Sequence, residues 1–296
     1  FISGNGKMAA FASDATNLSG TGMDTNGKTD IFMVNLENNT IGMISVSNTN
    51  PNTGGNGDSD RPALNYDGTK VVYHSYSTNL TPSGQVTDGT KTYIFLTSIA
   101  KSNIKPVASY TQLVSNKYGL SIPKQPNESS SYARISSDGT KVVFSSVATD
   151  IADGNLIGDG TYEMFLCNLQ KPIESRTLLI SQKNGAPASN SAKMPDINQD
   201  GSSISFVCSA PQLGGANVTD IYQWQNGMLN VVTIPTGSGS SQSSDYPTMD
   251  KTGRFVCFHT NGVYDPRDTN GCNDVYVWDS QTKTYTLVSV DSYGNI

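Results

Sequence analysis

The sequence predicts an all-β fold, a β-propeller of four-stranded blades with five repeats in this chain. Three observations carry that reading. A glycine-bearing turn recurs as Gly4-Asn5-Gly6, Tyr66-Asp67-Gly68, Ser137-Asp138-Gly139, Gln199-Asp200-Gly201 and Thr252-Gly253, its final glycines 62, 71, 62 and 52 residues apart. An aromatic follows each turn by five residues: Phe11, Tyr73, Phe144, Phe206 and Phe258. Each unit then closes on one pattern, seen in Met43-Ile44-Ser45, Leu113-Val114-Ser115, Leu179-Ile180-Ser181, Val231-Val232-Thr233 and Leu287-Val288-Ser289. Markers of three kinds keeping one order five times define a repeat, and tandem units of 50 to 70 residues suit propeller blades.

Within a unit, Pro62-Ala63-Leu64-Asn65 runs into an Asp-Gly turn that pairs it with Lys70 to Ser75 as a hairpin. Two further strands follow after a longer loop, Tyr93 to Thr97 and Gln112 to Ser115. The third strand carries a second recurring aromatic: Phe32, Phe95, Phe165, Tyr222 and Tyr276. A blade is too small to bury both of its faces alone, so these rings are expected between neighbouring sheets. No segment keeps apolar residues at i, i+3, i+4 and i+7, and no helix is expected. The repeats fall at approximately 1–60, 61–130, 131–192, 193–244 and 245–296, read as one propeller domain covering 1–296.

Composition agrees. The chain holds 28 Gly and 13 Pro with only 15% charged residues, a turn-rich β balance. Its net charge of −6 leaves no basic face for a phosphate backbone, which argues against a nucleic-acid partner. No apolar run approaches the ~18 residues that membrane insertion of a helix requires. Four cysteines (Cys167, Cys208, Cys257, Cys272) lack the C-x-x-C spacing of a zinc site and are read as free thiols, with one disulfide as the alternative.

The loops before the third strand hold the main site candidates. Repeats one and five place Asp24, Asn26 and Asp30, and Asp268, Asn270 and Asp274, at positions 1, 3 and 7 of a seven-residue stretch. These are hard oxygen ligands close enough in sequence to meet on one cation, with calcium the natural choice outside the cell. The plain alternative is that Asp and Asn cap a turn. Asp159 with Glu163, and Asp220 with Asn217, are weaker versions of the same loop.

Two histidines, His74 and His259, both follow the first aromatic directly. A shared metal would require reach across a central channel and a third ligand, so ordinary sheet residues are the competing reading. Trp224 and Trp278 sit two residues past the second aromatic and would form a docking or sugar-stacking platform if exposed, or inter-blade packing if buried. Arg61, Arg134 and Arg254 lie near first strands, where they would face anionic groups. No Gly-x-Ser-x-Gly elbow is present for serine nucleophile chemistry.

The stretch Asn17-Leu18 … Asp24-Thr25-Asn26-Gly27-Lys28-Thr29-Asp30-Ile31-Phe32, repeated as Asp268-Thr269-Asn270-Gly271-Cys272-Asn273-Asp274-Val275-Tyr276, resembles the WD40-like, TolB-type propeller repeat of bacterial secreted and periplasmic proteins. The resemblance covers the whole chain. It implies an extracellular, cell-surface or periplasmic protein, with a sixth blade outside this chain left open, since such propellers often have six or seven. It also raises an enzyme, because some related propellers are polysaccharide lyases using channel histidines and a metal. The leading expectation is a non-catalytic propeller scaffold that binds a protein or glycan, with calcium as the ion that would stiffen its loops, as a module of a larger surface protein. The alternative is a carbohydrate-active enzyme, a polysaccharide lyase or hydrolase, with its site at the channel mouth.

Overall fold

The structure is a computed structural model that describes residues 1–18, 24–100, 105–153, 160–216, 218–234, 242–291 and 294. Five antiparallel sheets follow one another along the chain. The first comprises β1 (Met8–Ser13), β2 (Asp30–Asn35) and β3 (Thr40–Met43); the second comprises β4 (Ser59–Leu64), β5 (Lys70–Ser75), β6 (Tyr93–Ala100) and β7 (Val107–Leu113). The third is built from β8 (Ser130–Ile135), β9 (Lys141–Ser146), β10 (Glu163–Asn168) and β11 (Thr177–Leu179). After a small hairpin of β12 (Gln182–Lys183) and β13 (Ala186–Pro187), the fourth takes β14 (Lys193–Ile197), β15 (Ser203–Cys208), β16 (Asp220–Gln225) and β17 (Met228–Val231). The fifth ends the series with β18 (Ser244–Met249), β19 (Phe255–Thr260), β20 (Asp274–Asp279) and β21 (Thr284–Leu287). In each sheet the strands lie in chain order, the up-and-down meander of a propeller blade.

The first blade departs from the expected four strands. It has three, and ahead of its turn glycine an isolated bridge joins Ile2 to Ala9. Among the described residues there is no α-helix, only two three-residue 3-10 turns, and no helix is long and apolar enough to cross a membrane.

Packing divides the chain into two compact units, Phe1–Gly158 with Leu166–Leu178, and Asp159–Phe165 with Leu179–Ile296. In the first, Ala10, Ile31, Met33 and Ile44 of blade one close on Leu64, Val71, Tyr73, Tyr93 and Phe95 of blade two. In the second, Val207, Ile221 and Val232 of blade four meet Val256, Phe258, Tyr276, Trp278 and Leu287 of blade five. Each large side chain buried this way contributes about 1.5–3 kcal/mol. The two aromatics that mark each repeat are cross-strand partners: Phe11 faces Phe32, Tyr73 faces Phe95, Phe206 faces Tyr222 and Phe258 faces Tyr276. These pairs stack, with centroids 5.9, 6.1, 5.7 and 6.3 Å apart.

Hydroxyl groups repeat as regularly as the rings. Ser59 bonds Ser75 at 2.8 Å, Ser130 bonds Ser146 at 2.9 Å and Ser244 bonds Thr260 at 2.8 Å, tying first strand to second. Ser75, Ser146 and Thr260 each also donate to a carbonyl just before the first strand. In blade four the equivalent atom is the Cys208 thiol, which donates to the Asn190 carbonyl at 3.2 Å. All four cysteines are free, with Cys167 and Cys208 buried and Cys272 exposed.

Candidate functional site

The first residue of the third strand is an acid in four blades, Asp30, Glu163, Asp220 and Asp274, and Tyr93 in blade two. The hydroxyl that closes each repeat reaches it. Ser45 donates to Asp30 at 2.5 Å, Thr233 to Asp220 at 3.0 Å, Ser289 to Asp274 at 2.6 Å, and Ser181 to Glu163. The same oxygen accepts the backbone N–H of the next residue, Ile31, Ile94, Met164, Ile221 or Val275, at 2.8–3.0 Å. One side chain thus pins the fourth strand to the head of the third and satisfies a buried carboxylate. Reading the closing pattern only as a strand end misses this latch, which joins residues 12 to 21 positions apart. Tyr93 breaks the rule, and its buried hydroxyl has no partner.

In blade one Asp24, Asn26 and Asp30 do come together. The turn that brings them back needs a left-handed residue, and Gly27 supplies it at φ +66°. Asn26 Nδ2 donates to Asp30 Oδ2 at 2.7 Å and to the Gly55 carbonyl at 2.6 Å, while its Oδ1 accepts the Lys28 N–H at 2.9 Å. Gly54 lies against this group; a Cβ there would collide with Asn26 Nδ2 and Asp30 Oδ2. Asp24 is only 3% exposed, and among the described residues neither of its carboxylate oxygens makes a hydrogen bond of normal geometry, although the Asn26 backbone N–H approaches closely enough to favour its charge. Burial raises its pKa. Burial also pushes Asp30 up to about 6 against the opposing bonds from Ser45 and Asn26, and the nearby charge of Asp24 adds to the rise.

Blade five repeats the plan with one difference. Asn270 Nδ2 donates to Asp274 Oδ2 at 3.0 Å and its Oδ1 accepts the Cys272 N–H at 2.7 Å, with Gly271 at φ +67°. Asp268 is buried and its Oδ1 is unpartnered, but Oδ2 accepts the Tyr276 hydroxyl at 2.7 Å. In blade four Asp220 is buried with Oδ2 unpartnered, and burial lifts it to about 6. Asp159 and Asn217 lie outside the described residues. Among the described residues no group of three His, Cys, Asp or Glu side chains is placed to hold a metal. Any cation in the blade-one loop would therefore rely on two carboxylates with amide and carbonyl oxygens, a donor set that suits calcium.

The remaining candidates sit apart from these loops. His74 and His259 occupy second strands opposite Asp60 and Asp245. His74 Nδ1 lies 3.2 Å from Ser131 Oγ, and burial lowers its pKa; the His259 ring lies 6.3 Å from that of Tyr246. Trp278 is 3% exposed in the core between blades four and five, so it presents no docking face; Trp224 is half-buried on β16. Arg254 is held by a two-pronged bond to Asp279 at 2.9 and 2.6 Å, Arg61 lies over the Tyr132 ring and Arg134 over the Phe1 ring. First strands of blades two to five also share a bulge that the sequence gives no sign of, with Arg61, Tyr132, Met194 and Tyr246 at φ of 53–55°. Left-handed backbone at bulky residues costs about 1–2 kcal/mol each.

No family model matches the chain, and no curated protein matches it. Solved structures do. An oligogalacturonate lyase in complex with manganese superimposes with a TM-score of 0.53 at 12% identity, covering 97% of this chain and 63% of the lyase. TolB from Acinetobacter baumannii gives 0.48 at 14% identity over 96% of this chain and 53% of TolB. The periplasmic gluconolactonase PpgL from Pseudomonas aeruginosa gives 0.45 at 12% identity over 97% of this chain and 70% of that one. The chain thus spans between half and two thirds of TolB and of the lyase. At such identities the likeness defines a class of fold: a β-propeller.

Proposed function

We propose that the chain is a non-catalytic propeller scaffold working outside the cytoplasm, in the periplasm or at the cell surface. It binds a protein or a glycan and holds calcium in the acidic loops of blades one and five. The observation that carries this reading is the buried Asp24 carboxylate, which among the described residues has only the nearby Asn26 backbone N–H to favour its charge, beside a second buried acid. An uncompensated buried charge is costly, and a cation in reach of Asp24, Asp30 and the Gly55 carbonyl would offset it. Asn26 Nδ2 now occupies the meeting point of Asp30 Oδ2 and Gly55 O, and turning its amide round would offer Oδ1 to the ion. The acids at the strand heads support the scaffold over a catalyst. They are buried and latched to hydroxyls, an arrangement that fixes loops and exposes no acid to substrate.

One observation favours the enzyme reading, a carbohydrate-active lyase or hydrolase. Asp220, whose Oδ2 makes no hydrogen bond of normal geometry among the described residues and whose pKa burial lifts to about 6, has the titration of a general acid or base. Its exposure is 1%, however, and Gly215 and Tyr222 crowd that oxygen, which leaves a substrate no approach.

Thermal melts in millimolar calcium and in excess chelator test the proposal. Binding to the native state alone adds about 2.7 kcal/mol at a hundredfold excess over Kd, a shift of several degrees. Coincident melting curves would overturn the calcium part of the proposal.

A further inference from the structure

The rims of blades two and three are built on one plan and differ at one residue. In blade two Asn56 Nδ2 donates to Thr78 Oγ1 and accepts the Thr78 N–H at Oδ1, both at 2.8 Å. Asn127 and Thr149 make the same exchange in blade three, at 2.7 and 3.0 Å. The residue after the asparagine is Glu128 in blade three, and its carboxylate takes Lys91 Nζ at 3.0 Å. In blade two that residue is Gly57. A Cβ there would stand 2.7 Å from the Tyr76 carbonyl carbon and 2.8 Å from the Ser77 nitrogen, so the close approach of backbone admits only glycine. Lys28 holds the repeat position of Lys91, two residues before the head of the third strand, but the acid that neutralises Lys91 has no counterpart. Among the described residues Lys28 has no ion pair.

What the missing side chain leaves is a pocket of about 380 Å³, lined by Lys28, Asn56, Gly57, Asp58, Tyr76 and Thr78. Its volume lies within the range of small-molecule sites. Its lining combines one exposed aromatic residue, Tyr76 at 41% exposure, with groups that bond hydroxyls: an ammonium, a carboxylate, an amide and a threonine. The walls are also braced. Asp58 Oδ1 accepts the Thr29 N–H at 3.0 Å, the Asp58 carbonyl accepts the Tyr76 N–H at 3.0 Å, and Gly57 N–H donates to Ser77 Oγ at 2.9 Å.

We propose that this pocket is a saccharide subsite, in which a neutral sugar ring stacks on Tyr76 and its hydroxyls donate to Asp58 and accept from Lys28. This rests on the binding-scaffold reading above and selects the glycan from its two partner classes. A sugar ring has an apolar C–H face for the tyrosine and a dense set of hydroxyls for both charged groups, with charge-assisted bonds stronger than neutral ones. A peptide anchor would want a deeper apolar lining than one tyrosine gives.

The test is saturation-transfer NMR on the whole chain with methyl glycosides of glucose, galactose, mannose and N-acetylglucosamine, and with chitotetraose. The expected result is binding of at least one probe, weakened about tenfold by Tyr76→Ala and by Asp58→Asn and retained by Tyr76→Phe. Melting curves of the variants check that each is folded. A probe that binds wild type and both variants alike would overturn the subsite and leave the scaffold reading in place with its glycan elsewhere. Binding of no probe by the wild type would also overturn it, and would leave a protein as the scaffold's partner.

Discussion

The acidic loops of blades one and five share the pattern Asp-Thr-Asn-Gly-x-x-Asp, yet they satisfy their charges differently. In blade five the Tyr276 hydroxyl donates to Asp268, so one of its two oxygens is bonded without any ion. The equivalent ring in blade one is Phe32, which has no hydroxyl, and among the described residues Asp24 has no side-chain donor on either oxygen. Asn26 also reaches across to Gly55, in the link between blades one and two, binding the loop to the next blade's approach. The same seven-residue pattern therefore yields one loop whose first acid accepts a tyrosine bond and one whose first acid does not. One difference between them is a single oxygen atom two residues beyond the motif.

The largest expected effect tests the buried acids by pH. Asp30 has a folded pKa of about 6 against an ordinary value of 3.8, so the native chain binds this proton more tightly than the unfolded chain. That stability is complete below about pH 3.8 and is lost as pH rises through about 6, a swing of about 3 kcal/mol. Asp220 adds to the loss over the same window. In chelator, melting temperature should fall across this range, and Asp30→Asn should remove part of the slope. Saturating calcium should flatten blade one's share of it, because an ion holds Asp30 charged. His74, whose pKa burial lowers, opposes this slope, so the decisive comparison is with Asp30→Asn: a pH dependence unchanged by that substitution would contradict the burial of Asp30.

Next in size is the contrast between Asp24→Asn and Asp268→Asn. Removing a charge with no partner should stabilise the metal-free chain by about 1–2 kcal/mol, while removing one that accepts a tyrosine bond should cost about 1 kcal/mol. The two substitutions are expected to move denaturant midpoints in chelator in opposite directions. Asp24→Asn should also erase most of the calcium-induced shift. If the two variants moved together, the distinction between the loops would fall.

Much of this was legible in the sequence, and the rest was hidden for identifiable reasons. The Asp-Gly turns and the two aromatics per repeat give the blades because they are local signals that recur. Their cross-strand stacking, as in Tyr73 on Phe95, follows from hairpin register. The convergence of Asp24, Asn26 and Asp30 was readable because all three lie within seven residues. The latch from Ser45 to Asp30 was not, since its meaning depends on which strand head the hydroxyl reaches. Trp224 and Trp278 occupy the same repeat position, yet Trp278 is buried and Trp224 only half so, because burial depends on what packs against each blade. Gly57 looks like any loop glycine until the backbone of Tyr76 and Ser77 comes within 3 Å of its missing Cβ.

The smallest effect is the sharpest test of the single-oxygen explanation. Tyr276→Phe removes the donor to Asp268 and makes blade five chemically equivalent to blade one at this position. Tyr276 is fully buried, and the change deletes one atom without altering ring packing against Phe258. The metal-free chain should lose about 1 kcal/mol, the net worth of a typical hydrogen bond. In calcium that loss should shrink, because the freed Asp268 oxygen becomes available to an ion. The reciprocal change, Phe32→Tyr, should stabilise the chain in chelator and weaken the calcium response that Asp24 provides. Calcium titrations followed by melting temperature would read both. Equal responses in Tyr276→Phe and wild type would mean that the tyrosine bond does not set the difference between the loops, and that blade one's Asn26–Gly55 contact is the place to look.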